Sequence, residues 1–103
     1  MRVITERRIR EFWRSEKGLE KTIREKAMRE WMRIVKLADW QNFSDLKNTF
    51  NHADVYKICT IFDVGGNKYR IIAKVQYRKH IVFIRFVLTH SEYDEKKWQF
   101  DCE

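Results

Sequence analysis

The sequence predicts an α+β fold in which two N-terminal helices pack on a small, mainly antiparallel sheet. Apolar residues recur at helical spacing through about the first third of the chain, and they alternate with polar residues from position 55 onward. A glycine pair, Gly65-Gly66, interrupts the alternating region where a hairpin turn needs positive φ. The chain has 103 residues, so we expect one domain covering residues 1–103.

The N-terminal part predicts a short edge strand at residues 1–4, followed by two amphipathic helices. Thr5 is a candidate N-cap for the first helix, and residues 15–18 form a predicted break. The second helix is longer and its opposite face is basic. Its apolar stripe consists of Leu19, Ile23, Ala27, Trp31, Ile34, Val35 and Ala38.

Residues 39–54 predict an irregular polar connection with one helical turn capped by Ser44-Asp45. Three strands follow at residues 55–62, 69–77 and 80–88, because these segments are rich in β-branched and aromatic residues. The segment from Ser91 to Trp98 predicts one short helix. Turns at Gly65-Gly66-Asn67 and Arg78-Lys79 connect the strands into an antiparallel sheet.

The alternation of the strands sorts their side chains onto two faces. We expect one face to pack beneath the helices and the other to remain open as a candidate anion site. The predicted core side chains are Tyr69, Ile71, Ala73, Val75, Val82, Ile84, Phe86 and Leu88. The predicted open face carries Lys57, Arg70, Lys74 and Arg85 beside Phe83.

The charge of the chain favours a polyanionic partner. The net charge is +7 and the sequence pI is about 9.6, which suits nucleic acid, an acidic protein or an anionic membrane surface equally well. No apolar run reaches the length of a membrane span, and the N-terminus does not resemble a signal peptide. Cys59 and Cys102 fit neither a metal-binding spacing nor a disulfide framework, so a reducing cytoplasm is the simplest location.

Two strings of the sequence carry a resemblance to a known family: Phe62-Asp63-Val64-Gly65-Gly66-Asn67-Lys68-Tyr69-Arg70 and Thr89-His90-Ser91-Glu92-Tyr93-Asp94. In this order they resemble the HigB-type toxins of bacterial type II toxin–antitoxin modules, within the RelE-like superfamily. The resemblance implies a compact RelE-like α+β fold and metal-independent cleavage of messenger RNA without a cofactor, commonly on the ribosome. It also implies a helix-turn-helix antitoxin of the HigA type, through which alone the toxin would contact DNA.

The resemblance also implies roles for particular side chains. Arg70 would bind the scissile phosphate together with Lys57, taken as a strand lysine. His90 would transfer protons, and Tyr93 would lie near the cleaved bond. Asp63 departs from the family pattern, which commonly has Asn before the glycine turn. Three further cations would extend the RNA-binding surface: Lys68, Lys74 and Arg85.

These residue types suit RNA cleavage by the neighbouring 2′-hydroxyl. An arginine fork matches phosphate oxygens and stabilises charge on the phosphorane. A histidine exchanges protons near neutral pH, because its unperturbed pKa is roughly 6.5. A tyrosine stacks on a base or donates a hydrogen bond. No cluster of acidic, His and Cys residues has a convincing metal-ligand spacing.

Other interpretations of the same residues stay open. The chain fits a non-catalytic RNA- or ribosome-binding module that uses the same basic sheet, or a protein-interaction domain with an acidic partner. Taken alone, Arg70 is more typical of a solvated strand arginine, His90 of a capping residue, and Tyr93 of a packing residue. RNA binding without strand scission, unaffected by changes of His90 or Tyr93, would indicate the RNA-binding module rather than the enzyme. A weak salt dependence of RNA binding would indicate the protein-interaction domain.

Overall fold

A computed structural model describes all residues of the chain, 1–103. Short connections join its helices and strands. In chain order they are β1 (Arg2–Ile4), α1 (Glu6–Arg14), α2 (Gly18–Leu37), α3 (Phe43–Thr49), β2 (Asp54–Tyr56), β3 (Cys59–Val64), β4 (Tyr69–Gln76), β5 (Ile81–Thr89), α4 (His90–Asp94) and a 3-10 helix (Lys97–Cys102). The predicted α+β class is therefore confirmed.

The strands form one five-stranded sheet in the order β1-β5-β4-β3-β2. Strands β2 to β5 are antiparallel neighbours, and β1 pairs in parallel with β5 at the edge. The parallel pairing follows from the chain path, because α1, α2 and α3 separate β1 from the other strands. The predicted N-terminal edge strand is confirmed.

The larger core lies between the helices and one face of the sheet. Phe62 of β3 is fully buried at its centre, and its ring makes an edge-to-face contact with Trp31 of α2 at 5.1 Å between centroids. Leu46 of α3 is also fully buried in this core. On β4, Tyr69, Ile71 and Ala73 face the same core, as the alternation predicts.

A second, smaller core covers the face of the sheet that the sequence predicts to be open. It consists of Cys59, Ile61, Ile72, Trp98 and Cys102. Cys59 and Cys102 form a disulfide that joins β3 to the end of the 3-10 helix. The predictions of an open face and of two unpaired cysteines are therefore wrong. Trp98 brings the C-terminal residues onto the sheet, and this long-range packing has no periodic signal in the sequence.

The first predicted strand is two strands. Lys57 adopts a positive φ of 53°, which ends β2 at Tyr56 and turns the chain into β3 at Cys59. A continuous strand over residues 55–62 is therefore wrong, and Lys57 lies in a turn rather than on a strand face. The sequence does not predict this turn because neither Lys57 nor Ile58 is a typical turn residue.

A β-bulge changes the facing of side chains along β5. Ile72 pairs with Phe86 and Ala73 pairs with Ile84, so Arg85 is an extra residue without a partner on β4. Beyond this point the alternation is inverted. Phe86 and Leu88 pack against the second core, whereas the predicted outward residue Val87 packs against the first. The prediction that Phe86 and Leu88 belong to the core beneath the helices is wrong for this reason.

The predicted glycine turn is confirmed between β3 and β4. Gly65 has φ of +66°, and a Cβ atom there would lie 2.9 Å from the ring of Tyr69, so a larger residue would be strained and crowded. The second turn, at residues 77–80, is also present. In α3 the cap is Asn42 rather than Ser44-Asp45, because its side chain accepts a hydrogen bond from the Asp45 backbone N–H at 2.9 Å.

The predicted C-terminal helix is shorter than expected and is followed by a second helical element. Thr89 and Glu92 form a capping box at the start of α4. Lys96 then adopts a left-handed conformation, with φ of 60°, and separates α4 from the 3-10 helix. The two elements lie against the sheet, where α4 follows β5 directly and carries the predicted site residues His90 and Tyr93.

Candidate nucleic-acid interface

Arg70 lies on β4 beside the glycine turn and is almost completely buried, with 9% of its surface exposed. Its Nη1 donates to Asp63 Oδ1 at 3.3 Å, to the Asn67 backbone oxygen at 3.1 Å and to the Tyr69 backbone oxygen at 3.2 Å. Its Nη2 donates to the Asn67 side-chain oxygen. These contacts hold the guanidinium in one orientation, while its Nε–H and one Nη2–H have no protein acceptor.

Tyr93 of α4 lies next to this guanidinium. The Arg70 Cζ atom is 4.9 Å from the centroid of the Tyr93 ring, within the range of a cation–π contact. The Tyr93 ring also stacks on Trp98, with centroids 5.3 Å apart and planes 9° apart. Burial raises the pKa of the Tyr93 hydroxyl, although the positive charge of Arg70 acts in the opposite direction. Tyr93 therefore keeps its proton at neutral pH.

His90 is the first residue of α4 and is half exposed. Its Nε2 lies 3.4 Å from Asp94 Oδ2, one helical turn later. Its backbone N–H donates to the Lys68 backbone oxygen at 2.9 Å, which fixes the start of α4 against the glycine turn. Lys68 itself is exposed in that turn. The structure thus brings Arg70, Tyr93, His90 and Lys68 to the same end of the sheet.

Lys57 lies at the far end of this sheet face. It belongs to the turn before Cys59, whereas Arg70 pairs with Asp63 near the other end of β3. Cys59 and Asp63 are four residues apart on this strand, which corresponds to about 13 Å. Lys57 Nζ is 3.1 Å from Glu103 Oε1. The structure therefore does not bring Lys57 to the phosphate that Arg70 would bind.

Lys74 and Arg85 share a carboxylate from the C-terminal residues. Arg85 donates from Nε and Nη2 to the two oxygens of Asp101 at 2.7 and 2.9 Å, and Lys74 Nζ is 3.7 Å from Asp101 Oδ2. The hydrogen bonds from Arg85 hold the pKa of the Asp101 carboxyl below its usual range. Similarly, Lys57 lowers the pKa of Glu103, which also accepts a hydrogen bond from Tyr56.

Sequence reasoning missed the residues that hold the predicted cations in place. Asp63 and Asn67 could have been found, because a hairpin at Gly65-Gly66 places Asp63 opposite Arg70 and puts Asn67 in the turn. No predicted turn or strand pairing places Asp101 or Glu103 next to the cations that they contact. Their contacts depend on the packing of Trp98, which the sequence does not place.

A small aromatic cavity lies beside Tyr93. Its volume is about 210 Å³. This is below the usual range for drug-sized ligands, so it suits at most a single ring system. Its lining includes Tyr56, Tyr93 and Trp98 together with Asp54, Asp94 and Gln99. No group of three or more His, Cys, Asp or Glu side chains is arranged to hold a metal ion. None of the helices has the length and apolar character needed to cross a membrane.

The fold and this interface define a small basic α+β protein with a fixed arginine, a half-buried tyrosine and further cations on one sheet. Residues 24–96 match the HigB_toxin family, described as the RelE-like toxic component of a toxin–antitoxin system. The match covers more than half of the chain, so this chain belongs to the HigB toxin family. The family predicted from the glycine turn and the 89–94 string is confirmed.

Individual relatives agree with this family. The chain is 28% identical over 72 residues to an mRNA interferase HigB of Escherichia coli O6:H1, covering 67% of this chain and 70% of the relative. It is 40% identical over 52 residues to the mRNA interferase toxin HigB of Escherichia coli K12, covering 48% of this chain and 50% of the relative. A relative from Shigella flexneri, also named mRNA interferase HigB, matches to the same extent. The matched part of the chain thus spans about half the length of these last two relatives.

Proposed function

We propose that this toxin is a metal-independent endoribonuclease that cleaves messenger RNA by attack of the 2′-hydroxyl on the adjacent phosphorus. The attack expels the 5′-oxygen and leaves a 2′,3′-cyclic phosphate. The names of the HigB relatives, mRNA interferases, support this activity. We further propose that the toxin acts in the cytoplasm on ribosome-bound messenger RNA, and that a helix-turn-helix antitoxin of the HigA type neutralises it.

The observation that best supports the proposal is the preorganised guanidinium of Arg70. Asp63 and Asn67 fix the fork before any substrate arrives, so little reorganisation is needed when charge develops on the phosphorane. The Nε–H and the remaining Nη2–H have no protein acceptor, and in this proposal they donate to two phosphate oxygens. Arg85 binds the two oxygens of Asp101 with the same pair of nitrogen atoms, which illustrates the bidentate geometry.

His90 and Tyr93 are the candidates for proton transfer and substrate orientation. His90 is half exposed at the start of α4 with Asp94 Oδ2 3.4 Å from its Nε2, and an imidazole at this place can exchange a proton with the attacking hydroxyl or the leaving oxygen. The Tyr93 hydroxyl, which stays protonated, can donate a hydrogen bond to the phosphorane or the leaving group. Lys68 extends the same surface and can pair with a neighbouring phosphate.

The chemistry is tested by the ends of the products. We expect purified toxin to cut messenger RNA on ribosomes kept assembled with Mg²⁺ and to leave a 2′,3′-cyclic phosphate and a 5′-hydroxyl. Mass spectrometry of the fragments identifies these ends. Products with a 5′-phosphate and a 3′-hydroxyl would contradict the proposal, because those ends are typical of attack by a metal-activated water rather than by the 2′-hydroxyl. Binding without scission would favour the RNA-binding module instead.

A kinetic comparison tests the roles of His90 and Tyr93. We expect His90→Ala and Tyr93→Phe to lower the single-turnover cleavage rate by about 10²-fold while RNA affinity changes less than about threefold, because proton-transfer contacts act in the transition state. Lys68→Ala is the matched control, and it should weaken binding and leave the rate at saturating RNA nearly unchanged. Equal, small effects of all three substitutions on the rate would place the chemistry elsewhere.

A further inference from the structure

The C-terminal segment, defined as residues 97–103, lies on the same sheet face as the proposed RNA site. Trp98 packs on the sheet and is 4% exposed, and the Cys102–Cys59 disulfide fixes the other end. The backbone N–H of Ile58 also donates to the Cys102 oxygen at 3.2 Å. The segment is therefore held by a buried aromatic ring, a covalent bond and a backbone hydrogen bond.

The two carboxylates of this segment engage three cations of the proposed RNA surface. Asp101 binds Arg85 through two hydrogen bonds and lies near Lys74, and Glu103 binds Lys57 at 3.1 Å. A carboxylate and a phosphodiester offer the same kind of anionic oxygen pair to these side chains. As long as the segment stays in place, RNA phosphates cannot use the bonds that Asp101 and Glu103 already occupy.

We propose that the C-terminal segment is an internal competitor of RNA, which must be displaced before Lys57, Lys74 and Arg85 can bind phosphates. This inference rests on the proposed function, since it concerns regulation of the same RNA surface. It assigns Lys57 to the binding of a distant phosphate rather than to the scissile one. Arg70 is outside this competition, because its partners Asp63 and Asn67 belong to the hairpin.

The disulfide makes this competition dependent on reduction. A dithiol reductant gives two electrons and two protons to the Cys59–Cys102 bond, so that two thiols form and the dithiol closes to its own disulfide. The segment then has its only covalent attachment at its N-terminal end, next to the exposed Lys96, and the packing of Trp98 and the hydrogen bond from Ile58 hold the rest without a covalent bond. Reduction therefore favours displacement of the segment by RNA, and oxidation keeps Asp101 and Glu103 close to their cations.

The test measures binding separately from cleavage by using a 2′-O-methylated single-stranded RNA, which lacks the attacking hydroxyl. We expect the double variant D101N/E103Q to bind this RNA about tenfold more tightly than the wild type at low salt. The slope of log affinity against log salt should steepen by about two units, because three cations become available at about 0.7 units each. Reduction of the wild type with a dithiol should shift affinity in the same direction.

A matched control separates this effect from the change in net charge. E25Q/E30Q removes two carboxylates that pair with Arg29 and Arg33 on α2, at 2.7 Å in each case, and it should leave RNA affinity and salt slope close to the wild type. Circular dichroism and the single variants D101N and E103Q check that folding is intact. Equal affinities and slopes for D101N/E103Q, the control and the wild type would overturn the inference. Tighter binding without cleavage of unmodified RNA would overturn the proposed function and leave the inference standing.

Discussion

Replacing Arg70 by Ala is expected to lower the rate of RNA cleavage by about 10²–10³-fold and to relieve growth arrest when the toxin is expressed without its antitoxin. The reason is geometric, because Arg70 is the one cation of the interface that the hairpin holds in a fixed orientation. Single-turnover cleavage and growth curves after induction measure the two effects. Arg70→Lys should also be slow, since lysine keeps the charge and lacks the planar fork.

The control for Arg70→Ala is Arg33→Ala, which removes the same charge from an exposed position on α2. We expect Arg33→Ala to remain toxic and to cleave at the rate of the wild type. Because loss of Arg70 leaves the carboxylate of Asp63 unpaired, the double variant Arg70→Ala/Asp63→Asn checks that inactivity does not come from a damaged hairpin. A folded Arg70→Ala protein with full toxicity would exclude the phosphate role.

Reduction of the Cys59–Cys102 disulfide is expected to lower the free energy of unfolding by about 4 kcal/mol. The two cysteines are 43 residues apart in sequence, and the loop that they close loses much of its conformational freedom in the unfolded chain. A loss of this size is a large part of the stability of a small domain, which is typically about 5–15 kcal/mol. Urea unfolding with and without a dithiol, with free thiols counted, measures the difference.

The variant Cys59→Ser/Cys102→Ser provides the comparison for this measurement. It should unfold at a similar urea concentration to the reduced wild type, and a dithiol should not change its midpoint. Identical midpoints for the oxidised and fully reduced wild-type protein would contradict the expected stabilisation. They would show that Trp98 and its neighbours hold the C-terminal segment without the covalent bond.

The sequence predicts well what depends on local periodicity. The helical stripe of α2 and the glycine turn between β3 and β4 appear where the pattern places them, because each follows from the spacing or the φ preference of nearby residues. The failures have non-local causes. The bulge at Arg85 inverts the facing of Phe86 and Leu88, and only the pairing of β5 with β4 determines it.

The residues of the candidate site also fall into those that the sequence places correctly and those whose positions depend on long-range packing. The family resemblance implies that Arg70 and Tyr93 both lie near the cleaved bond, and in the structure the Arg70 Cζ atom is 4.9 Å from the centroid of the Tyr93 ring. The predicted position of Lys57 on a strand was wrong, because a positive φ at that residue ends the strand before it. The contacts of Asp101 were not predicted, since they depend on how a C-terminal helix folds back over the sheet.

The disulfide has a further consequence for a protease that attacks the native protein. Lys96 and Lys97 are both exposed where the chain leaves α4, so a trypsin-like enzyme can reach the peptide bond between them. A cut there would not free the peptide that follows, because Cys102 remains bonded to Cys59. The nicked protein would remain one covalently linked molecule, heavier by one water, until a reductant is added, and only then could the peptide dissociate.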